Sequence, residues 1–286
     1  RQVRRSFERA AEGYDAAAVM QHEVCRRLGE RLECMRLDPA VILDAGCGTG
    51  YGSELLLQRY PQAELVALDM AAAMLHTASK RLQEKRRWLP WPAPKRARYL
   101  CADMEQLPLI ESSVDLIWSN LALQWSNGLD AAFGDMRRVL RPDGLLIFST
   151  FGPDTLKELR QVFSQLDGHP HVSRFIDMHD IGDALMRSGF VNPVMEMETL
   201  TLTYDAMIDL MRDLKAIGAH NAAAGRRRGL MGKTEWRRLH EAYETFRYEG
   251  RLPATYEVIY GHAWKGTPKP AKYPAGEQVI QWSGRP

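Results

Sequence analysis

The sequence predicts an α/β fold, a mostly parallel seven-stranded sheet with helices on both faces. Two observations carry that expectation. From Val41 onward, short apolar runs alternate with helical stretches, the rhythm of strands joined by crossover helices. Between the first apolar run and the first helix lies a glycine-rich loop, Asp44-Ala45-Gly46-Cys47-Gly48-Thr49-Gly50, at the position where open α/β sheets take their ligands.

Taken in order, residues 1–38 read as a helical arm or lid, because Val24, Leu28 and Leu32 recur four apart and mark one apolar helix face. The main domain follows over 39–265. Its strand candidates are Val41–Ala45, Glu64–Leu68, Arg98–Cys101, Val114–Trp118 and Leu145–Thr150, each short, apolar and bounded by turn or charged residues. Helices are expected at Ser53–Tyr60, Ala71–Glu84 and Leu129–Leu140 between them. The turn Arg141-Pro142-Asp143-Gly144 should close the last of these and launch a strand. Trp88–Pro94 holds three prolines in seven residues, which excludes regular helix and central strand and suggests a surface insertion.

Beyond Thr150 the rhythm loosens into a helical insertion, about 153–250, expected to face the substrate. Helices are predicted near Asp154–Leu166, Asp180–Ser188, Asp205–Ile217 and Thr234–Arg247, around a threonine-rich strand Glu198–Thr203 and a last strand Tyr256–Trp264. The tail 266–286 carries four prolines in a polar context and reads as flexible.

Composition excludes several classes. With 45% hydrophobic and 26% charged residues over 286 positions, the chain can bury a sizeable core and is not a disordered or fibrous one. Thirty-eight basic against thirty-six acidic residues leave +2, so no global field recruits nucleic acid. Apolar stretches such as Leu145–Phe148 fall far short of the roughly 18 residues of a membrane span. A monomeric, soluble cytoplasmic protein is expected. Cys25, Cys34, Cys47 and Cys101 form no CxxC pair and read as reduced, and His169, His171 and His220 lack metal-ligand spacing, so no metal is expected.

The glycine loop lets backbone approach a ligand, and the helix behind it offers free N–H groups. A dinucleotide fingerprint needs G-x-G-x-x-G, but Tyr51 stands where its third glycine belongs. Asp44 ahead of the glycines suits a sulfonium better than a pyrophosphate. Together, Asp44, Gly46, Gly48 and Gly50 resemble motif I of the class I S-adenosylmethionine-dependent methyltransferases. The resemblance implies S-adenosyl-L-methionine as cofactor, with Asp69 on its ribose, Met70 among the residues that bind it, Asp103 on its adenine amino group and Met104 against the ring. Asn120, in Ser119–Trp125 where such enzymes present substrate-facing residues, is a further cofactor-binding candidate. The Asn/Asp-Pro-Pro-aromatic motif of DNA amino-methyltransferases is missing there, which disfavours base methylation.

Further stretches extend the likeness over most of 1–265. Phe7-Glu8-Arg9-Ala10-Ala11-x-x-Tyr14, Leu214-Lys215-x-Ile217-Gly218-Ala219 and Leu252-Pro253-Ala254-Thr255-Tyr256, with the loop and Ser119–Trp125, resemble the malonyl-[acyl-carrier protein] O-methyltransferases of biotin synthesis. That resemblance implies methyl ester formation on the free carboxylate of a malonyl thioester. It makes Lys215 the candidate cation that holds the carboxylate, with Tyr14, Arg174 and Tyr256 as further catalytic candidates. An acidic carrier protein would need a local basic surface, and Arg226, Arg227, Arg228, Lys233, Arg237 and Arg238 supply one. Two other readings compete. Phe151–Leu156, Met211–Leu214 and Leu252–Trp264 also resemble complex I assembly factors of the same fold, and a methyltransferase for another small carboxylate or a quinone precursor would share the core.

Overall fold

A computed structural model describes residues 2–86, 97–166, 169, 171–219 and 232–266. The Pro-rich 88–94 segment, Arg226–Arg228, His220 and most of the tail lie outside the described residues.

The arm comprises three α-helices: α1 (Gln2–Ala10), α2 (Tyr14–Ala17) and α3 (Val19–Arg31). Then follow β1 (Val41–Ala45), α4 (Tyr51–Arg59), β2 (Glu64–Asp69), α5 (Ala72–Arg86), β3 (Ala97–Cys101), β4 (Val114–Asn120), α6 (Leu129–Val139) and β5 (Leu140–Phe151). The second half holds α7 (Lys157–Ser164), α8 (Met178–Arg187), β6 (Val191–Tyr204), α9 (Met207–Ala216), α10 (Lys233–Glu244) and β7 (Leu252–Trp264).

All seven strands form one sheet in the order β3-β2-β1-β4-β5-β7-β6. The first five run parallel, and β7 pairs antiparallel with both β5 and β6. Strand order reverses between β1 and β4, so their carboxyl ends part and leave a crevice. Alternation along the strands supplies both cores. Ile42, Leu65, Leu116 and Trp118 face α3, α4, α7 and α9, while Leu43, Leu68, Ile117 and Leu146 face α6 and α8.

Val24, Leu28 and Leu32 are fully buried, as their spacing requires, and α3 packs on α4, β4 and β5. Its far end reaches the edge strand, where Arg27 and Arg31 pair with Glu198 and Glu196 of β6 at 2.7 and 2.9 Å.

Among the boundaries that differ from the sequence reading, three have a visible cause. β5 begins at Leu140, because Arg141–Gly144 bulges out of the strand instead of preceding it. The partner register jumps from Val114–Leu140 to Leu116–Leu145, and Asp143 sits at φ +60°. α7 starts at Lys157, behind Leu156 at φ +55°. β6 runs fourteen residues rather than six, since β7 pairs with it along nearly its whole length.

Candidate active site

The floor of the crevice is placed by the carboxyl ends of the strands, and the arm covers it. Gly46 and Cys47, just after β1, donate their N–H groups to Leu68 O of β2 at 2.8 and 2.9 Å, which stitches the loop to the sheet. Gly46 sits at φ +83°, and a Cβ there would lie 2.3 Å from Ala122 Cβ beyond β4. No other residue fits. Gly48, at φ +53°, has nothing within 4 Å of its Cβ position and faces open space.

Asp69, at the end of β2, accepts from Gly48 N at 3.0 Å and from Ala71 N at 2.8 Å. Burial pushes its carboxyl up, against the opposite pull of those N–H groups. Asp44 is 1% exposed and accepts from Ser53 Oγ at 2.6 Å. Burial, aided by the nearby Asp69 charge, pushes it up to about 7 even against that hydrogen bond.

Two small cavities flank the loop. One, of about 60 Å³, is lined by Gly46, Gly48, Asp69, Met70, Met104 and Asn120. The other, of about 50 Å³, lies over Asp44 and is bounded by Gln21, His22 and Trp118. Gln21 Oε1 and Trp118 Nε1 are buried there without a hydrogen-bond partner. One acceptor and one donor left open beside a buried carboxylate suit a zwitterionic amino-acid head that also carries a sulfonium. The 60 Å³ cavity, with a carboxylate and two thioethers, suits a nucleoside. Asp103 is exposed and accepts from Glu105 N at 3.0 Å, while its neighbours Ala102 and Met104 face the cavity. Asn120 bridges strand and arm, donating to Gln21 O at 3.1 Å and accepting from Ser149 Oγ at 2.8 Å.

The arm closes this cleft. Thr49 Oγ1 donates to Asp15 at 2.6 Å, Arg81 pairs with the same carboxylate, and His22 lies 3.3 Å from it. Burial would raise Asp15, yet these three partners together hold it down at about 2. Glu8 accepts from Ala72 N and Ala73 N at 2.9 and 3.0 Å, an N-terminal cap on α5 supplied from another helix. Tyr14 lines both small cavities and a third, larger one, and burial beside Asp69 pushes its phenol well above its ordinary value.

The third cavity measures about 620 Å³ and meets the first at Phe7, Tyr14, Leu121 and Trp125. Its walls are mostly apolar, from Phe151, Leu159, Phe163 and Trp236 among others. Lys215 reaches it from the last turn of α9 with an exposed head. Tyr256 lines it from β7 and hydrogen-bonds to Tyr204, which bonds in turn to Asp213. Arg174 is not brought in: it is exposed, whereas its neighbours Ser173 and Phe175 line the wall.

Sequence reasoning missed Gln21, Trp118, Asp15 and Arg212, the last a second cation on the cavity wall. Only Gln21 left a signal. It falls on the stripe of Val24 and Leu28, a polar residue on a buried helix face.

Residues 43–148 match the methyltransferase domain family. Among solved structures, the YcgJ protein of Bacillus subtilis superposes with a TM-score of 0.59 at 17% identity, covering 85% of this chain and 99% of that one. A phosphoethanolamine N-methyltransferase from Haemonchus contortus, in complex with S-adenosylhomocysteine, gives 0.53 at 15%, covering 85% of this chain and 53% of its own. Two curated relatives, from Laribacter hongkongensis and Nitrosospira multiformis, are each 56% identical. The matches cover 98% and 94% of this chain, and 94% and 90% of the relatives. Both are named malonyl-[acyl-carrier protein] O-methyltransferase. Among the described residues there is no metal-binding cluster and no helix long and apolar enough to cross a membrane. With its α/β sheet and relatives alike over nearly their whole length, the chain belongs to the malonyl-[acyl-carrier protein] O-methyltransferase family of class I methyltransferases.

Proposed function

We propose that the protein transfers a methyl group from S-adenosyl-L-methionine to the free carboxylate of malonyl-acyl-carrier protein, giving the methyl ester that enters pimeloyl and biotin synthesis. The observation that carries this reading is the junction at Tyr14, Leu121 and Trp125, where the cleft lined by Asp69, Met70 and Met104 opens into a large apolar cavity with a lysine on its wall.

When bound, S-adenosylmethionine supplies an electrophilic methyl on its sulfonium. Asp44, Gln21 and Trp118 hold its amino-acid end, and Asp69, Met70, Met104 and Asn120 its nucleoside, with Asp103 closing on the base. No general base is needed, because a carboxylate of pKa about 4 is already ionised at neutral pH. The chain's work is positioning. Orientation of that kind supplies roughly 7–11 kcal/mol of barrier reduction. Lys215 steers the carboxylate, Tyr14 covers it from the arm, and the aromatic walls keep water out. Tyr256 lines the same wall from β7.

The carrier docks on α10. Lys233, Arg237 and Arg238 are exposed there, and Trp236 of the same helix lines the cavity, so a carrier seated on the basic face stands at the mouth. Arg226–Arg228, the rest of the basic cluster, lie outside the described residues. The enzyme works as a cytoplasmic monomer in this reading.

The test is direct. Purified protein with labelled S-adenosylmethionine and malonyl-acyl-carrier protein yields a base-labile methyl ester. No ester on the carrier-bound or a free malonyl thioester removes the proposal.

A further inference from the structure

Two side-chain amides stand at and just beyond the end of β4, and each is anchored by a hydroxyl near the end of β5. Ser149 Oγ donates to Asn120 at 2.8 Å, and Thr150 Oγ1 donates to Gln124 Oε1 at 3.2 Å. Both hydroxyls are buried, and as successive strand residues they point to opposite faces of the sheet. The amides part accordingly. Asn120 lines both small cavities of the cofactor cleft, whereas Gln124 lines the large acceptor cavity.

The partners of Gln124 fix which way its amide points. Its nitrogen donates to Leu121 O at 2.8 Å, and a carbonyl can only accept, so the amide oxygen is the end that takes the Thr150 hydroxyl. An amide nitrogen carries two N–H groups. Leu121 O uses one, and among the described residues nothing takes the other. A half-buried donor left open on a mostly apolar wall calls for an acceptor from the ligand. Thr155, a hydroxyl on the same wall, already donates to Glu257 O at 3.0 Å.

The location of Gln124 says which ligand group that is. It lies between Leu121 and Trp125, and both of these line the acceptor cavity and the cofactor cleft together. Leu121 holds a left-handed φ of +46°, uncommon for a residue with a side chain, and the Gln124 bond to its carbonyl helps to keep it there. Backbone strain and a fixed amide thus meet at the boundary a methyl group must cross. A neutral donor suits that place. It orients one carboxylate oxygen without the tight charge pairing of a bidentate guanidinium, which would blunt the other oxygen as a nucleophile.

We infer that the second Nε2–H of Gln124 donates to one oxygen of the acceptor carboxylate. The other oxygen is left to form the new O–C bond as the C–S bond breaks, with the electron pair of that bond passing to sulfur. Lys215 supplies charge and Gln124 supplies direction. This rests on the function proposed above, and it makes Gln124 the residue that tells a carboxyl-bearing thioester from one without.

The experiment uses the protein loaded with S-adenosylhomocysteine, which has no methyl to transfer, and compares calorimetric binding of malonyl-pantetheine with that of acetyl-pantetheine, which lacks the carboxylate. The wild type should bind the malonyl thioester about a hundredfold more tightly, and Gln124→Met should shrink that ratio to about tenfold. Gln124→Glu, alike in shape but charged, should abolish it by repulsion. Both variants lose the N–H bond to Leu121, so a purely structural role would weaken the two ligands alike and overturn the inference. In turnover, Gln124→Glu should cut kcat/KM for malonyl-acyl-carrier protein at least about a hundredfold, against roughly tenfold for Gln124→Met. On the unaltered protein, the NMR signals of the Gln124 side-chain amide should move with malonyl-pantetheine and stay with acetyl-pantetheine; equal responses also overturn the contact. If no methyl ester forms while carboxylate-dependent binding persists and needs Gln124, the methyl-transfer reading falls and this contact stands.

Discussion

Asp44 is a carboxylate whose charge the fold resists until a cationic ligand arrives. Its ordinary value lies near 4 and its folded value near 7, so the group adds stability below about pH 4, and that stability is lost as pH rises towards 7. Above 7 it contributes no further slope. Asp44→Asn should therefore raise the melting temperature of the ligand-free protein at pH 8 relative to wild type, and flatten its dependence between pH 5 and 8. The same variant should bind S-adenosylmethionine at least about tenfold more weakly, by the loss of one buried charge pair. Fluorimetric melting across pH, with and without ligand, checks both halves; a variant that loses stability at pH 8 refutes the account. Lys215→Met tests the acceptor side. It should lower kcat roughly a hundredfold, the scale of a misplaced nucleophile, and leave S-adenosylhomocysteine affinity unchanged. If both fall together, Lys215 is structural.

At the scale of elements, α10 has two faces with two tasks. Lys233, Arg237 and Arg238 point to solvent, while Leu239 and Tyr243 are buried in the core. Reversing the three charges should leave folding intact and raise KM for carrier-bound malonate roughly tenfold, with a weakened salt dependence. A malonyl-coenzyme A surrogate should not respond; equal losses on both substrates would remove the docking surface. Individual elements also show what the sequence makes legible. Glycine loop, strand ends and the Val24–Leu28–Leu32 stripe are local patterns, and the structure places each where its period or spacing puts it. Contacts made across long sequence separations left no such trace. Asp15 meets Thr49 and Arg81, Asn120 meets Gln21 O, and Tyr256 meets Tyr204, none within reach of one helix or strand period. The bulge at Arg141–Gly144 was misplaced for a related reason, because its residues favour a turn and only pairing with β4 makes it part of a strand.

Across the whole molecule, the arm joins both substrate sites into one enclosure. Phe7 and Tyr14 line the acceptor cavity and the nucleoside cleft at once, while Glu8 caps α5 from outside. Neither α1 nor α2 contains a fully buried residue, and α3 carries the arm's share of the core. A protein starting at Val19 should thus keep its far-ultraviolet circular dichroism while its S-adenosylhomocysteine affinity, read by calorimetry, falls about tenfold. Unchanged affinity would mean that the first two helices only decorate the fold. The sheet adds an ordering in time. β7 comes last among the described strands yet sits between β5 and β6, so chain growth delivers the central wedge after both of its neighbours. The glycine loop and five parallel strands can assemble first, whereas the acceptor wall with Tyr256 waits for residues up to Trp264. A nascent chain on the ribosome therefore carries every strand and loop of its methyl-donor cleft before the strand that walls the acceptor side.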